Sequence, residues 1–323
     1  MAVVRLGTRR SELARAQSTG IADRLRQAGH DVELVEIVTQ GDLSEEPLHM
    51  IGGTGVFAAA IRRALLAGRV DVAVHSLKDL PTTPEPGLVI AATPVREDPR
   101  DVLVASGGLT LGELPNGSVV GTGSPRRAAQ LHALGLGLRV EPIRGNLDTR
   151  LRLVESGVVD AIVIARAGLA RLGWLERATE VLDPILMLPA PGQGALALEC
   201  RADRTDIRAA LAPLDDADTA VRVRAERSVL ATLEAGCTAA VGALAEVAEG
   251  EAGPELSLRA FAGSSDGTIE LRRSVIGSYG EPEELGARLA HILLEDGAAE
   301  ITHPTDQGHP SPVRLSPDQG PGS

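Results

Sequence analysis

Aromatic side chains are nearly missing from this chain: its 323 residues include two Phe, one Trp and one Tyr (Phe57, Trp174, Phe261 and Tyr279). That leaves no base-stacking platform for single-stranded nucleic acid. Lysine is rarer still, for Lys78 is the sole one and every other basic side chain is Arg. Two cysteines, Cys200 and Cys237, are too few for a disulfide framework, so a reducing cytoplasm is the expected home. No apolar run is long enough to span a membrane, and the first ten residues hold no signal-peptide core. The formal charge of −12 gives the surface as a whole no pull on nucleic acid. No His, Cys, Asp or Glu cluster has metal-ligand spacing, so no catalytic metal is expected.

What is present is an ordinary globular composition on a chain long enough for two or three domains. Residues 70–81 organise the reading. Val70, Val72 and Val74 open a short β-branched run, the mark of a strand buried on both faces of a largely parallel sheet. His75, Ser76, Lys78 and Asp79 then arrive within five residues, and Pro81 ends any regular element. Polar groups just past the carboxyl end of a buried strand lie where open α/β sheets bind ligands. A chain that otherwise uses Arg, yet keeps one Lys beside an Asp, hints at a need for a compact ammonium. The competing reading is a plain turn in which Asp79 bonds nearby backbone N–H groups.

Residues 3–7 read as a strand, and Ser11 can cap a helix with Leu13, Ala16, Ile21 and Leu25 at helical spacing. A strand at 32–38, a long loop at 39–54, a helix at 55–67 and the strand from Val70 complete a doubly wound opening. A second unit of the same kind starts near Asp101, with strands at 102–105, 118–121, 139–143 and 161–165. Within it Ser124 takes the N-cap and Pro125 the first turn of a helix. A strand at 195–200 could return to the first unit, giving two lobes joined by two crossings. A helix at 215–233, three strand-like runs and a helix at 282–294 indicate a small α+β third domain. The expected fold is therefore α/β: two doubly wound lobes plus that third domain. Its limits are 1–97 with 195–213 for lobe 1, 98–194 for lobe 2 and 214–302 for the third domain, with a disordered Pro/Gly/Ser tail at 303–323.

Basic residues gather at strand ends and helix starts: Arg9 and Arg10, Arg126 and Arg127, Arg144 and Arg150, Arg166 and Arg171. In a two-lobed α/β fold these places face the crevice. Thr122 and Ser124, with the N–H groups at the Pro125 helix start, add an anion site. An acidic protein that collects Arg there binds something with several carboxylates or phosphates, although any one of them alone reads as a surface arginine. Cys200 ends an apolar strand and reads as core packing. Cys237 sits on a Gly-containing loop after a helix, an accessible thiol that is inert, nucleophilic or a point of attachment. Gly52-Gly53-Thr54-Gly55 fits neither the phosphate-loop nor the dinucleotide pattern.

Taken in order, these pieces resemble the porphobilinogen deaminases, also called hydroxymethylbilane synthases. The segments that carry the resemblance are Thr8-Arg9-Arg10-Ser11, Val74-His75-Ser76-Leu77-Lys78-Asp79-Leu80-Pro81, Arg96-Glu97-Asp98-Pro99-Arg100-Asp101 and Gly121-Thr122-Gly123-Ser124-Pro125-Arg126-Arg127. Further on come Arg144-Gly145-Asn146-Leu147-Asp148-Thr149-Arg150, Ala167-Gly168-Leu169-Ala170-Arg171-Leu172-Gly173, Pro191-Gly192-Gln193-Gly194-Ala195 and Glu234-Ala235-Gly236-Cys237. The resemblance implies periplasmic-binding-protein-like lobes and an enzyme of tetrapyrrole biosynthesis that deaminates porphobilinogen and joins four molecules head to tail into 1-hydroxymethylbilane. It implies a dipyrromethane cofactor held by a thioether on Cys237, and Asp79 as the catalytic aspartate. Lys78, Asp79, Thr122, Ser124, Arg126, Arg127 and Arg150 would hold the cofactor. Arg9, Ser11, Arg144, Arg150, Arg171 and Gln193 would hold substrate. It favours a monomer, with no nucleic-acid or membrane partner. Thr54 stands where many relatives carry Lys, so no lid lysine is expected. The rival is a non-enzymatic anion-binding clamshell, which would need neither Cys237 nor the Lys78-Asp79 pair.

Overall fold

The computed structural model describes residues 3–38, 56–235, 239–251 and 253–302. The loop expected at 39–54, with Thr54, therefore lies outside the described residues, as do Cys237 and the 303–323 tail. The first elements are β1 (Val4–Thr8), α1 (Glu12–Gln27), β2 (Val32–Glu36), α2 (Val56–Leu66), β3 (Val72–Ser76) and β4 (Leu88–Ala92). There follow β5 (Asp101–Ala105), β6 (Val119–Gly121), α3 (Pro125–Ala133), β7 (Arg139–Glu141), α4 (Leu147–Glu155), β8 (Ala161–Ala165), α5 (Arg166–Leu172) and β9 (Glu180–Val181). The remainder is β10 (Leu196–Arg201), α6 (Thr205–Leu211), α7 (Ala217–Thr232), β11 (Val241–Gly250), β12 (Gly253–Gly263), β13 (Glu270–Ser278), α8 (Pro282–Glu295) and α9 (Ala298–Thr302).

Two five-stranded sheets share one design. The first has the order β2-β1-β3-β10-β4 and the second β7-β6-β8-β5-β9. In the first, β1 runs parallel to β2 and β3, while β10 is antiparallel to β3 and β4. In the second, β6 runs parallel to β7 and β8, while β5 is antiparallel to β8 and β9. The antiparallel strand of each sheet is the one that has just crossed from the other. β3 and β8 are buried along almost their whole length and β5 along all of it, the cost of cover on both faces being met by Val, Ile, Leu and Ala. Helices then seal separate cores on the two sides of each sheet.

The two crossings run side by side. Glu97 N donates to Gly194 O at 3.2 Å. Gly194 has φ +87°, and a Cβ there would stand 2.4 Å from Glu97 O. Only glycine tolerates both the left-handed backbone and that approach. The third sheet is an antiparallel meander, β11-β12-β13, covered by α7 and α8. α7 is apolar on two sides: Ala225 and Val229 pack into the meander's core, whereas Val223 packs on Leu77, Leu80, Ala195 and Ala197 of the first lobe. Among the described residues no helix is long and apolar enough to cross a membrane.

Candidate active site

The polar groups foreseen at strand ends do lie there, because a parallel strand delivers its next side chain to the carboxyl edge of the sheet. After β3 the chain makes one 3-10 turn, Leu77–Asp79. Leu77 and Leu80 are buried on either side of it, at 1% and 2% exposure, which leaves Lys78 half-buried and Asp79 exposed. Lys78 Nζ donates to Gln193 Oε1 at 3.2 Å. Burial, and then the charge of Arg127, lowers the Lys78 ammonium from its ordinary 10.5 to about 8, against the favourable charges of Asp79 and Asp101. His75, the first polar residue of the run, turns into lobe 1 instead: its Nε2 lies 3.1 Å from Glu199 Oε2, and Arg62 pairs with the same buried carboxylate at 2.8 Å.

Across the cleft, Arg126 and Arg127 open α3, with Pro125 in its first turn and Ser124 at the N-cap. The Ser124 side chain makes no cap bond, so its hydroxyl is not committed to the helix, and Thr122 Oγ1 accepts from Ser124 N at 3.2 Å. Both guanidinium groups fold inward. Arg126 is 2% exposed and donates to Asp101 Oδ2 at 2.8 Å and to Leu188 O at 2.5 Å. Arg127 donates to Asp101 Oδ1 at 2.8 Å and to Val163 O at 3.1 Å. Gln193, wholly buried, completes the set by donating to the same Asp101 oxygen at 2.8 Å and to Pro99 O at 2.7 Å. Burial alone would raise the Asp101 carboxyl, yet the charges of Arg126 and Arg127 hold it at about 2.

The remaining arginines stay closer to the opening. Arg150 Nε donates to Gly145 O at 2.9 Å, and its Nη2 lies 3.8 Å from where a Cβ on Gly123 would sit, beside Thr122 and Ser124. Burial, then the charge of Arg127, brings Arg150 down to about 10, with Arg144 adding to the repulsion and Asp79 opposing it. Arg144 itself is exposed. Arg171 donates to Gly194 O at 2.6 Å, and burial lowers its guanidinium pKa while Glu97 opposes. Arg171 and Lys78, together with Gln17, Ser76 and Gly168, line a small cavity between α1 of one lobe and α5 of the other. Arg9 is half-buried at the start of the β1–α1 turn, where Ser11 Oγ caps α1 by accepting from Ala14 N at 3.3 Å. Arg10 points outward to Glu36.

The structure thus brings Lys78, Asp79, Thr122, Ser124, Arg127, Arg144, Arg150 and Gln193 to one cleft region, with Arg171 on its far wall. Arg126 acts from beneath, fastened to Asp101. The charge of Arg127 opposes those of both Lys78 and Arg150, and Arg144 adds to the repulsion on Arg150. Such a set of cationic side chains fits a ligand with several carboxylates. Three residues with no role in the sequence reading prove central. Asp101 is the counter-ion of the buried arginines, and an acid at the head of an otherwise apolar strand was its signal. Glu226 is fully buried and accepts from Arg96 at 2.7 and 2.9 Å, from Gly192 N at 2.7 Å and from Ala245 N at 2.9 Å, joining both crossings to the third sheet. Arg227 reaches the Lys78–Asp79 turn itself.

Comparison with known proteins agrees over nearly the whole chain. The family model described as "Porphobilinogen deaminase, dipyromethane cofactor binding domain" matches residues 4–209. The model described as "Porphobilinogen deaminase, C-terminal domain" matches residues 220–295. Porphobilinogen deaminases of Mycobacterium bovis (strain BCG / Pasteur 1173P2) and Mycobacterium avium (strain 104) are each 57% identical over 304 residues. Those alignments take in 93% of this chain and 98% and 96% of the relatives. Among solved structures, a methionine binding protein aligns with a TM-score of 0.43 and 13% identity, over 66% of this chain and 89% of that one. Two family models that take in both lobes and the third sheet, and relatives aligned almost end to end, make this chain a member of the porphobilinogen deaminase family.

Proposed function

We propose that this chain is a hydroxymethylbilane synthase, which deaminates four porphobilinogen molecules and joins them head to tail into 1-hydroxymethylbilane with release of ammonia. We further read it as a cytoplasmic monomer, with lobes and third domain divided at the limits given under the sequence. The observation that carries the reading is the cleft cluster of Lys78, Arg127, Arg144 and Arg150 with the exposed carboxylate of Asp79 acting on Lys78 and Arg150. A dipyrromethane on Cys237 would supply the pyrrole carbon to which the first unit is joined. Lys78, Thr122, Ser124, Arg127 and Arg150 would hold its acetate and propionate groups, with Arg126 keeping Arg127 and Asp101 in place.

Porphobilinogen carries two carboxylates, and Arg9, Ser11, Arg144, Arg150 and Arg171 would orient them, whereas Gln193, wholly buried and with its N–H groups given to Asp101 and Pro99 O, would act through Lys78. Loss of ammonia leaves the incoming pyrrole cationic. Asp79 is the group to stabilise that charge and to take up the proton released on C–C bond formation. Its exposure is consistent with work in a cleft through which substrates enter in turn. Arginine suits the holding roles, since a guanidinium stays charged as carboxylates accumulate and grips each through two N–H groups.

Intact mass of the purified, denatured protein tests this reading directly. Wild type is expected to exceed its sequence mass by two linked pyrroles, and Cys237→Ser to remove the increment. An unmodified mass in turning-over enzyme would overturn it, and the rival anion-binding clamshell predicts no adduct and no turnover.

A further inference from the structure

The helix that leads to Cys237 also grips the turn that carries Asp79. α7 ends at Thr232, five residues before Cys237. One turn after Val223, which packs on Leu77 and Leu80, Arg227 extends its guanidinium over the same segment. Nη1 donates to Leu80 O at 2.8 Å and to Leu77 O at 3.2 Å, and Nη2 donates to Pro81 O at 2.7 Å. The three carbonyls flank Lys78 and Asp79 on both sides. A single 3-10 turn makes few hydrogen bonds of its own, here Leu80 N to Leu77 O at 3.2 Å. Without the guanidinium the carbonyls of Leu80 and Pro81 would turn to water, and the turn would lose these three polar ties to α7. Adjacent to Arg227, Glu226 binds the crossings, so this stretch of α7 is itself held to the frame.

We propose that Arg227 is a positioning residue for the reaction: it locks the Lys78–Asp79 turn to α7, so that the acid group keeps one place at the edge of the cleft. The proposal rests on the roles of Asp79 and Cys237 given above. A rigid link of this kind matters because a displacement of about 1 Å in a reacting group costs on the order of a hundredfold in rate. The carboxylate-holding arginines of lobe 2 take no part in these three bonds, so most of the binding should survive their loss.

The test compares Arg227→Gln and Arg227→Lys with wild type and with Arg224→Gln. Arg224 lies on the exposed side of the same helix, paired with Glu283, and its loss should leave kcat unchanged. Arg227→Gln is expected to keep the two-pyrrole mass increment and to lower kcat by about tenfold to a hundredfold, with KM within about threefold of wild type. Arg227→Lys, whose ammonium can reach only some of the carbonyls, should recover part of the rate. If Arg227→Gln does not accumulate as folded protein, Arg227→Lys carries the test alone, by the same reduced kcat with full mass increment. Wild-type kcat in a folded variant, or a fall in melting temperature with kcat preserved, would overturn the proposal. Failure of the underlying reading is separately visible, as wild-type enzyme lacking the mass increment or turnover of porphobilinogen.

Discussion

Lys78 and Gln193 touch, ammonium to amide oxygen at 3.2 Å, although 115 residues separate them in sequence. Gln193 hands the contact on to Asp101, so the sole lysine, the second crossing and the buried acid of lobe 2 form one hydrogen-bonded series. Gln193→Leu would leave Asp101 and Pro99 O each short of a donor in the interior. The expected loss is about 1–3 kcal/mol of stability, read from urea unfolding, together with a raised KM. An unchanged midpoint would mean that water takes over the role of the amide.

Lys78, by holding the cofactor's carboxylates beside the incoming unit, should impose an alkaline limit on the working cleft. Held at about 8 rather than 10.5, it loses its charge in the folded protein as pH rises through that value. KM for porphobilinogen is expected to climb above pH 8, and Lys78→Gln to raise KM at pH 7 while flattening the climb. For stability the sign is opposite to that of a helpful ion pair. Between about 8 and 10.5 the unfolded chain binds more protons than the folded one, so the fold gains stability as pH rises across that window. In a Cys237→Ser background, Lys78→Met should therefore raise the melting temperature at pH 7; a lower value would show that its neighbours stabilise the ammonium.

Asp101 works the other way. Its folded pKa of about 2 lies below the ordinary 3.8, so its contribution is complete above the latter and is lost as pH falls toward 2. Asp101→Asn leaves two buried guanidinium groups with half a partner. A loss of about 3–5 kcal/mol is expected in denaturant unfolding, with a weaker acid limb. A loss under about 1 kcal/mol, the range of exposed pairs, would show that the arginines re-pair elsewhere.

Asp79→Ala should separate chemistry from loading. The variant is expected to keep the two-pyrrole mass increment yet to lose turnover by about a hundredfold or more, the range of a general acid–base group. Near-normal kcat would remove Asp79 from the mechanism.

Much of the architecture is legible because parallel strands announce themselves. Val72, Val74 and the run at 161–165 are apolar without alternation, and the side chains that follow must fall on the cleft edge. The return of 196–201 to the first sheet was readable from its apolar character and the Pro-Gly punctuation before it. Harder to read is what each arginine faces. Arg126 and Arg150 look alike in sequence, yet one is sealed against Asp101 and the other borders the opening, a difference that depends on a strand and a helix meeting in space. Glu226 and Arg227 escape for the same reason: on a helix that carries five charged residues (Asp218, Arg222, Arg224, Glu226 and Arg227), nothing local shows that one is buried beneath the crossings and the other reaches a turn in another lobe.

The interleaving of β10 between β3 and β4 bears on how the molecule is made. During synthesis the amino-terminal sheet has a gap between β3 and β4 until residue 201 has left the ribosome, by which time the whole of the second lobe has been produced. Any truncation before that point abandons β3 and β4 with open edges facing each other, which invites pairing with other chains, so newly made chains of this kind are most vulnerable to aggregation before the last strand arrives.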